Sequence, residues 1–268
     1  MSDSPAGIAG VFDRAADSYD AVGVPWFVPI AAGLVEELDV RPGERVLDIG
    51  CGRGAALVPL ARAAGSTGSA LGVDLAPRMV ARTAADVADL PWVEVRVGDA
   101  SAPDLPTSSY DVVSSCLVLF FLPDPGEAVR RWTDLLAPGG RMGVTTFGSQ
   151  DERWKAVDAV FSPYLPQQMR DARTTGSRGP FASDEGMEAL LRDAGLVDVR
   201  TARREVVAEF ASPQQWLDFS WSHGQRAMLE AVPAAEHDRV RAEIVALLEG
   251  FSPLGFTQTI RHTLGRRP

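Results

Sequence analysis

The stretch Arg45-Val46-Leu47-Asp48-Ile49-Gly50-Cys51-Gly52-Arg53-Gly54-Ala55-Ala56-Leu57 decides the fold. A short apolar run with an acid near its end is followed by three glycines at alternate positions and then by a helical pattern. This order predicts a buried strand, a tight turn and a helix. Glycine permits positive φ and lets a ligand approach a backbone that carries no Cβ. The start of the helix also leaves unpaired N–H groups. We therefore expect a ligand at this turn.

Length and composition set the broad class of the protein. The chain has 268 residues, of which 46% are hydrophobic, enough for one large domain or a domain with a cap. No apolar run approaches the roughly 20 residues of a membrane-spanning helix. The first residues also lack the pattern of a secretory signal. The two cysteines, Cys51 and Cys116, are typical of a reducing compartment. We expect a cytoplasmic protein without a membrane partner.

The charge of the chain argues against a nucleic-acid partner. The formal net charge is −10, whereas proteins that bind a phosphate backbone normally present a basic face. Scattered arginine pairs such as Arg130-Arg131 do not form such a face. A small molecule is therefore the expected substrate.

Around the central stretch, strand and helix patterns alternate. Strands are predicted at 45–49, 69–74, 93–99, 111–116 and 141–147, and helices at 8–20, 26–38, 55–64, 77–90 and 125–136. Such alternation predicts an α/β fold with a parallel sheet and right-handed crossovers. The second half is less regular: helices are expected at 152–164, 183–194 and over most of 213–249, with strands in 197–210 and 256–264. The whole pattern predicts a doubly wound, mostly parallel, seven-stranded sheet with a helical cap.

Three acids end three successive strands. Asp48, Asp74 and Asp99 all lie where ligands of open α/β sheets bind. Asp74 follows Gly54 by 20 residues, a spacing suited to accepting hydrogen bonds from both hydroxyls of a ribose. Asp99 is placed to accept from an adenine amino group, and Asp48 to attract an ammonium. A single aspartate of this kind is often only a turn residue, but three in register indicate a nucleoside ligand.

The glycines alone do not identify that nucleoside. Residues 50–55 also match the dinucleotide pattern G-x-G-x-x-A. A dinucleotide would bring its pyrophosphate against the start of the helix, where Asp48 opposes it. A ligand with a cationic amino-acid end is favoured instead.

At this point the sequence resembles the class I S-adenosylmethionine-dependent methyltransferases, in their ubiquinone-type and natural-product branch. The resemblance runs through residues 44–147 and rests on motifs in family order, with a family-like leader at 12–20. The motifs are Val46–Gly54, Gly72–Val80, Val97–Ala100, Tyr110–Ser115 and Leu135–Arg141. They are specific for fold and cofactor and say little about the substrate.

The resemblance implies roles for the individual residues. Gly50, Cys51 and Gly52 would lie against the methionine end of S-adenosylmethionine, with Asp48 near its amino group. Asp74 would bind the ribose, Leu75 would pack on the adenine, and Asp99 with Ala100 would face its amino edge. Ser115 and Cys116 would offer a backbone carbonyl to the amino group. Tyr19 would close over the cofactor, the alternative being ordinary helix packing.

The resemblance also implies a domain organisation. Residues 1–43 would close over the site, 44–147 would form the cofactor-binding core, and 148–268 would complete the sheet, at about 183–210 and 256–264. Cap insertions are expected at about 148–182 and 213–250.

One departure from the family concerns the catalytic base. Family members often carry histidines before a Leu-Pro-Asp-Pro, where this chain has Phe120 and Phe121. A base is required only for a weak nucleophile such as an alcohol or phenol. His223 is the best candidate, since it lies in an aromatic-rich stretch and histidine titrates near working pH. The alternative is a structural, hydrogen-bonded histidine. No histidine or cysteine cluster has metal-ligand spacing.

Aromatic residues outside the core predict an apolar or aromatic acceptor. Trp26, Phe120, Trp216 and Trp221 are the candidate pocket residues, and the alternative for each is packing between cap and sheet. The expected reaction is in-line methyl transfer from S-adenosylmethionine to a small metabolite, which leaves S-adenosylhomocysteine. Two alternatives stay open: a methyltransferase fold that binds the cofactor but catalyses another reaction such as cyclisation, and a nicotinamide-dependent oxidoreductase.

Overall fold

The computed structural model describes residues 7–165 and 178–268. Its seven strands form one sheet in the order β3-β2-β1-β4-β5-β7-β6. The strands are β1 (Arg45–Ile49), β2 (Ser69–Asp74), β3 (Val93–Val97), β4 (Tyr110–Cys116), β5 (Leu136–Gln150), β6 (Val197–Glu209) and β7 (Gly255–Arg266). The pairings among β1 to β5 are parallel, and β7 pairs antiparallel with β5 and β6. The predicted seven-stranded, mostly parallel α/β fold is confirmed.

Ten helices lie in the described ranges, together with 3-10 turns at Leu119–Phe121, Gly179–Ala182 and Ala234–Glu236. The helices are α1 (Gly7–Ala15), α2 (Phe27–Leu38), α3 (Leu57–Ala64), α4 (Pro77–Asp86), α5 (Pro125–Leu135), α6 (Trp154–Phe161), α7 (Asp184–Asp193), α8 (Pro213–Trp221), α9 (Arg226–Ala231) and α10 (His237–Glu249). No helix in the described part of the chain is both long and apolar enough to cross a membrane. Part of the predicted insertion at 148–182 lies outside the described residues.

Three predicted boundaries were wrong. Helix α1 ends at Ala15 rather than near residue 20, because the chain turns over residues 16–20 and Asp20 adopts a positive φ of 56°. Helix α4 ends at Asp86, not Leu90. Strand β5 starts at Leu136, directly after α5, since Leu136 already pairs with Tyr110 of β4.

The sheet separates two packed layers. On one face, Val46 and Val112 pack with residues of α2 and α3, such as Leu34 and Leu57. On the other face, the next residues of the same strands, Leu47 and Val113, pack against α5 and α7. Their cluster also includes Trp132, Met187 and Leu191. The alternation of consecutive strand residues between two buried faces explains why the central strands read as continuous apolar runs.

A third apolar cluster lies above the carboxyl edge of the sheet. It joins α6 and α10 with α8 through residues such as Trp154, Phe161, Trp216, Phe219 and Ile244. Strand ends and the start of α2 complete it, through Val206, Phe210, Ile260, Trp26 and Ile30. The described parts of the segments between β5 and β6 and between β6 and β7 therefore pack together through one core.

Helix α2 lies unusually close to β7 at Gly33. A Cβ at this position would come within 2.3 Å of His262 Nε2. We expect Gly33→Ala to lower the free energy of unfolding by up to about 2 kcal/mol, since overpacking costs about 1–3 kcal/mol and the gain in helix propensity offsets about 1 kcal/mol. Gly126→Ala in α5 is the matched control, because its Cβ would meet nothing closer than 3.4 Å. Urea unfolding tests the pair; a Gly33→Ala protein as stable as Gly126→Ala would contradict the close packing.

His262 itself is fully buried. Its Nδ1 lies 2.9 Å from Thr145 Oγ1, and its Nε2 has no hydrogen-bond partner among the described residues. Burial lowers the pKa of His262 to about 4. Protonation therefore favours the unfolded chain, in which histidine titrates near 6.5, and this contribution to stability is lost as the pH falls from about 6.5 to 4.

Comparison with a His262→Gln variant isolates this contribution, because the other titrating groups are common to both proteins. We expect the stability advantage of the wild type to shrink by about 3 kcal/mol between pH 7 and pH 4. Urea unfolding at each pH measures it. A difference that stays constant over this range would show that His262 is accessible to protons in the folded state.

Candidate active site at the carboxyl edge of the sheet

The three predicted acids lie on one edge of the sheet. Asp48 is the penultimate residue of β1, Asp74 ends β2, and Asp99 follows β3 by two residues. Since β1, β2 and β3 are parallel neighbours, their carboxyl ends meet at the same edge. The structure thus brings together the carboxylates that the sequence pattern singled out.

The glycine turn wraps around the end of β2. Gly50, Gly52 and Gly54 all have positive φ, at 72°, 50° and 81°. The N–H groups of Gly50 and Cys51 donate to the Val73 carbonyl at 2.7 and 3.0 Å. A Cβ on Gly50 would lie 2.2 Å from a methyl of Val118, whereas one on Gly52 would meet nothing within 4 Å. The backbone at Gly52 therefore faces open space, as a ligand-binding turn requires.

Asp74 is anchored by this turn. Its carboxylate oxygens accept hydrogen bonds from the N–H groups of Gly52, at 2.8 Å, and Ala76, at 2.9 Å. Burial raises the pKa of Asp74, and these backbone donors oppose the rise. A carboxylate has about four lone-pair sites, so Asp74 can accept a further hydrogen bond in a fixed orientation. These features fit a ribose diol.

Asp48 is buried much more deeply, at 1% exposure. Its Oδ1 accepts a hydrogen bond of 2.7 Å from the Ser114 hydroxyl. Burial raises the pKa of Asp48 to about 7; the hydrogen bonds from Ser114 and from the Leu57 N–H lower it, and the Asp74 carboxylate raises it. No cation contributes to this balance among the described residues. The site thus contains a carboxyl group that a cationic ligand would complement.

The third acid lies on the open side of the edge. Asp99 is exposed, and its Oδ1 accepts from the N–H and hydroxyl of Ser101, each at 2.8 Å. Leu75 is 45% exposed despite its apolar side chain. The Ala100 carbonyl accepts a 2.8 Å bond from Trp132 Nε1. An exposed leucine next to an exposed acid fits a flat ring with an amino group at its edge.

The end of β4 lies beside β1, on the side opposite to β2. Ser115 is fully buried and donates its hydroxyl to the Ile49 carbonyl at 3.0 Å. Burial raises the pKa of the Cys116 thiol to about 12, and burial also raises the pKa of Cys51 well above its usual value. Neither cysteine is therefore a nucleophile at neutral pH. Leu117 then reverses the chain with a positive φ of 60°.

A chain of aromatic rings connects this edge to the cap. Tyr19 stacks on Phe27, with centroids 4.3 Å apart and planes 20° apart. Phe27 in turn packs edge-to-face with the imidazole of His223, with the ring centroids 5.7 Å apart. The pKa of Tyr19 is raised far above its usual range, first by burial and then by the nearby Cys116 and Asp74. The Tyr19 phenol therefore lies beside the candidate cofactor residues, in the turn after α1.

His223 follows the end of α8 and is 8% exposed. Its Nδ1 lies 2.6 Å from the Phe219 carbonyl, an acceptor, so Nδ1 carries the proton and Nε2 carries the lone pair. Burial lowers the pKa of His223 to about 4. The imidazole is therefore neutral at working pH, with a fixed tautomer. The structure places this histidine in the aromatic chain, in contact with Phe27 and Phe219.

The predicted pocket residues divide into two groups. Phe120 packs tilted on Phe147 at 5.5 Å, beside the end of β4. Trp26 and Trp216 are in the core instead, at 4% and 2% exposure, where Trp26 meets Phe219 and Phe256. Trp216 stacks on Trp154 at 5.7 Å.

Trp221 lies on the outer surface, beneath the Arg226 guanidinium. The structure does not bring Trp26, Trp216 or Trp221 to the site. For the two tryptophans of α8, the reason is that this helix buries Trp216 against Trp154 of α6 and leaves Trp221 exposed. Trp26 lies just before α2, where Phe219 and Phe256 cover it.

Sequence reasoning missed two positioning residues. The Ser114 hydroxyl donates a hydrogen bond to Asp48. The only sign of this role in the sequence is a hydroxyl side chain within an apolar strand. Arg53 donates to the Ala16 carbonyl at 2.7 Å and pairs with Asp86 at 2.5 Å, so the glycine turn is bonded to the segment that follows α1. Nothing local to the sequence indicates that contact. Among the described residues, no group of three His, Cys, Asp or Glu side chains could hold a metal.

The chain is similar to several known proteins. Residues 47–144 match the model of a family described as "Methyltransferase domain". The chain is 35% identical to the nocamycin O-methyltransferase of Saccharothrix syringae, over 96% of this chain and 97% of that protein. It is 38% identical to the aklanonic acid methyltransferase DauC of Streptomyces sp. (strain C5), over 60% of this chain and 74% of that protein.

Among solved structures, the [4+2]-cyclase SpnF has a TM-score of 0.54 at 19% identity, with 90% of this chain and 81% of that chain covered. This likeness concerns the fold alone. The fold therefore does not by itself decide between methyl transfer and cyclisation, whereas the likeness over nearly full length to an O-methyltransferase does.

Proposed function

Since the chain belongs to the class I S-adenosylmethionine-dependent methyltransferases that act on small molecules, we propose that it methylates an oxygen of an apolar or aromatic metabolite at the carboxyl edge of its sheet. The enzyme class, the cofactor and a small-molecule substrate follow from family membership. The acceptor class, the acceptor atom and the residue roles are our proposal. The oxygen acceptor is supported by the similarity to the nocamycin O-methyltransferase, which extends over 96% of this chain.

The cofactor supplies a methyl group on a positively charged sulfur, which is already a good electrophile. The residues present fit it: Asp74 would bind the ribose, Asp99 with Leu75 and Ala100 would hold the adenine, and the open backbone at Gly52 would admit the amino-acid end. Asp48 and the carbonyl side of Ser115 and Cys116 would complement its ammonium. The contribution of these residues is positioning, which can lower a barrier by roughly 7–11 kcal/mol.

The single observation that carries the acceptor proposal is the ring contact between the edge of the sheet and the cap. Tyr19 stacks on Phe27, and Phe27 in turn contacts the ring of His223. Phe120 packs on Phe147 near the ends of β4 and β5. A flat acceptor would pack against such rings, which also exclude water. We propose that the described parts of residues 1–43, 148–182 and 213–250 cover the core 44–147.

We propose His223 as the group that accepts the proton of the acceptor hydroxyl. Its Nδ1–H is fixed on the Phe219 carbonyl, so Nε2 is the basic atom. The lowered pKa keeps this atom free of a proton above about pH 5. Transfer of the hydroxyl proton would then accompany methyl transfer rather than precede it.

Replacement of His223 tests this role. We expect His223→Ala to reduce kcat by about 10²–10⁴-fold, the usual contribution of a general base, with little change in the affinity for S-adenosylhomocysteine. His237→Gln is the matched control, because His237 bonds the Val232 carbonyl away from the aromatic chain. The measurement is transfer of labelled methyl to aklanonic acid and a panel of hydroxylated aromatic acids. A folded His223→Ala protein with unchanged kcat would assign the histidine a structural role.

The cellular location and partners remain proposals of the same kind. We propose a cytoplasmic enzyme without nucleic-acid or membrane partners, supported by two unpaired cysteines and the net charge of −10. Cofactor binding without transfer to any acceptor in the panel would favour the alternative, a different reaction on the same fold.

A further inference from the structure

Asp48 is held in a place where a negative charge is costly. It is 1% exposed at the end of β1, and the groups that reach it are the hydroxyl of Ser114 and the N–H of Leu57. Both are neutral donors. A buried carboxylate needs a cationic partner or a proton to offset the loss of hydration, and none of the described residues supplies the cation.

The other titratable groups around Asp48 cannot provide this compensation. Asp74 on β2 is an acid and raises the pKa of Asp48. Cys51 in the glycine turn, Cys116 on β4 and Tyr19 after α1 all have raised pKa values, so they stay neutral between about pH 5 and 8. The charge balance around Asp48 therefore depends on Asp48 and Asp74.

These two acids are not equivalent. Asp74 accepts two backbone N–H bonds, at 2.8 and 2.9 Å, and lies nearer to solvent, whereas Asp48 is in the sheet interior. Two neighbouring buried carboxyls do not both ionise easily. Asp74 is the better candidate to hold the negative charge, and Asp48 the better candidate to hold a proton while no cation is bound.

We propose that Asp48 releases a proton to solvent when the ammonium end of S-adenosylmethionine or S-adenosylhomocysteine binds, and that Ser114 is the positioning residue that sets the pH range of this release. The inference rests on the proposed cofactor site. Before binding, Asp48 is a protonated carboxyl and the ligand is a free cation. After binding, the Asp48 carboxylate is paired with the ligand's ammonium, and the proton that Asp48 has lost is taken up by the buffer. Cofactor affinity therefore weakens as Asp48 becomes protonated, by up to about tenfold per pH unit.

Isothermal titration calorimetry of the full chain with S-adenosylhomocysteine tests this directly. Titrations in phosphate and imidazole buffers, which differ in ionisation enthalpy, give the number of protons released per ligand bound. Because burial raises the pKa of Asp48 to about 7, we expect release of nearly one proton at pH 6.0 and less than about half a proton at pH 7.5. Methylthioadenosine, which lacks the amino-acid end, should bind without release.

Two variants and a control identify the group. Asp48→Asn should abolish the release at pH 6.0. Ser114→Ala removes a hydrogen bond that lowers the pKa of Asp48, so release at pH 7.5 should increase toward one proton. Thr133→Ala is the control, since this hydroxyl is also buried but bonds the Val129 carbonyl within α5; its proton count should equal that of the wild type. If Ser114 had only a structural role, Ser114→Ala would leave the number of protons released per ligand unchanged.

Three outcomes would overturn the proposal. Binding of S-adenosylhomocysteine by the wild type without release at pH 6.0 would do so, as would release that persists in Asp48→Asn, which would assign it to Asp74. An unchanged count in a Ser114→Ala protein that binds the ligand would remove the positioning role. Failure of the wild type to bind S-adenosylhomocysteine at all is a distinct result, because it would overturn the cofactor site on which the proposal rests.

Discussion

Asp74→Asn is expected to lower the affinity for S-adenosylhomocysteine by about 10–10²-fold, since a hydrogen bond to a charged group contributes about 1.5–3 kcal/mol and one carboxylate oxygen would be lost to the ribose. Asparagine keeps the size of the side chain but replaces one acceptor oxygen with an NH2 group. That group would face the N–H of Gly52 or Ala76, both of which now donate to the carboxylate. Isothermal titration calorimetry measures the affinity.

The fold should survive this change, because the substitution also removes a buried negative charge. Asp111→Asn is the matched control: Asp111 lies at the opposite end of β4, where it pairs with Arg45 at 2.9 Å. Its loss should leave the affinity unchanged. An Asp74→Asn protein that binds within about threefold of the wild type, a difference below about 0.7 kcal/mol, would contradict the ribose assignment.

The glycines of the turn should separate stability from binding. Gly50→Ala places a Cβ 2.2 Å from Val118 at a φ of 72°, so overpacking and the left-handed backbone act together. We expect a loss of about 2–5 kcal/mol in the free energy of unfolding. The added substitution Val118→Ala removes the obstructing methyl groups and should restore part of that loss.

Gly52→Ala should behave in the opposite way. Its Cβ would meet no protein atom within 4 Å, so the cost to stability is limited to the positive φ of 50°, about 1–2 kcal/mol. The methyl group would instead occupy the space that we assign to the cofactor, and affinity for S-adenosylhomocysteine should fall at least about 100-fold, or about 2.7 kcal/mol. Urea unfolding and calorimetry on both variants test the contrast. Undiminished affinity in Gly52→Ala would show that the ligand approaches elsewhere.

The cofactor half of the site was predictable because its signals are local. Asp48, Asp74 and Asp99 each end a strand pattern, and parallel pairing brings strand ends together without further information. The positive φ values at Gly50, Gly52 and Gly54 follow from glycine itself. Each of these residues could be placed from a stretch of about ten residues.

The acceptor half was not predictable in the same way. Trp26, Trp216 and Trp221 all have large apolar side chains, yet two are in the cap core and one is at the surface. Which face of α8 is buried depends on α6, more than 50 residues away in the chain. The contact of Phe27 with His223 likewise joins two distant segments. Long-range packing of this kind leaves no periodic signal in one segment.

The most direct test of the account is a crystal structure of the chain with S-adenosylhomocysteine. We expect the ribose hydroxyls at hydrogen-bond distance, about 3 Å, from the Asp74 carboxylate, the adenine between Leu75 and Asp99, and the amino-acid end over Gly52 toward Asp48. Bound S-adenosylhomocysteine whose ribose lies away from Asp74 would contradict the site that we assign.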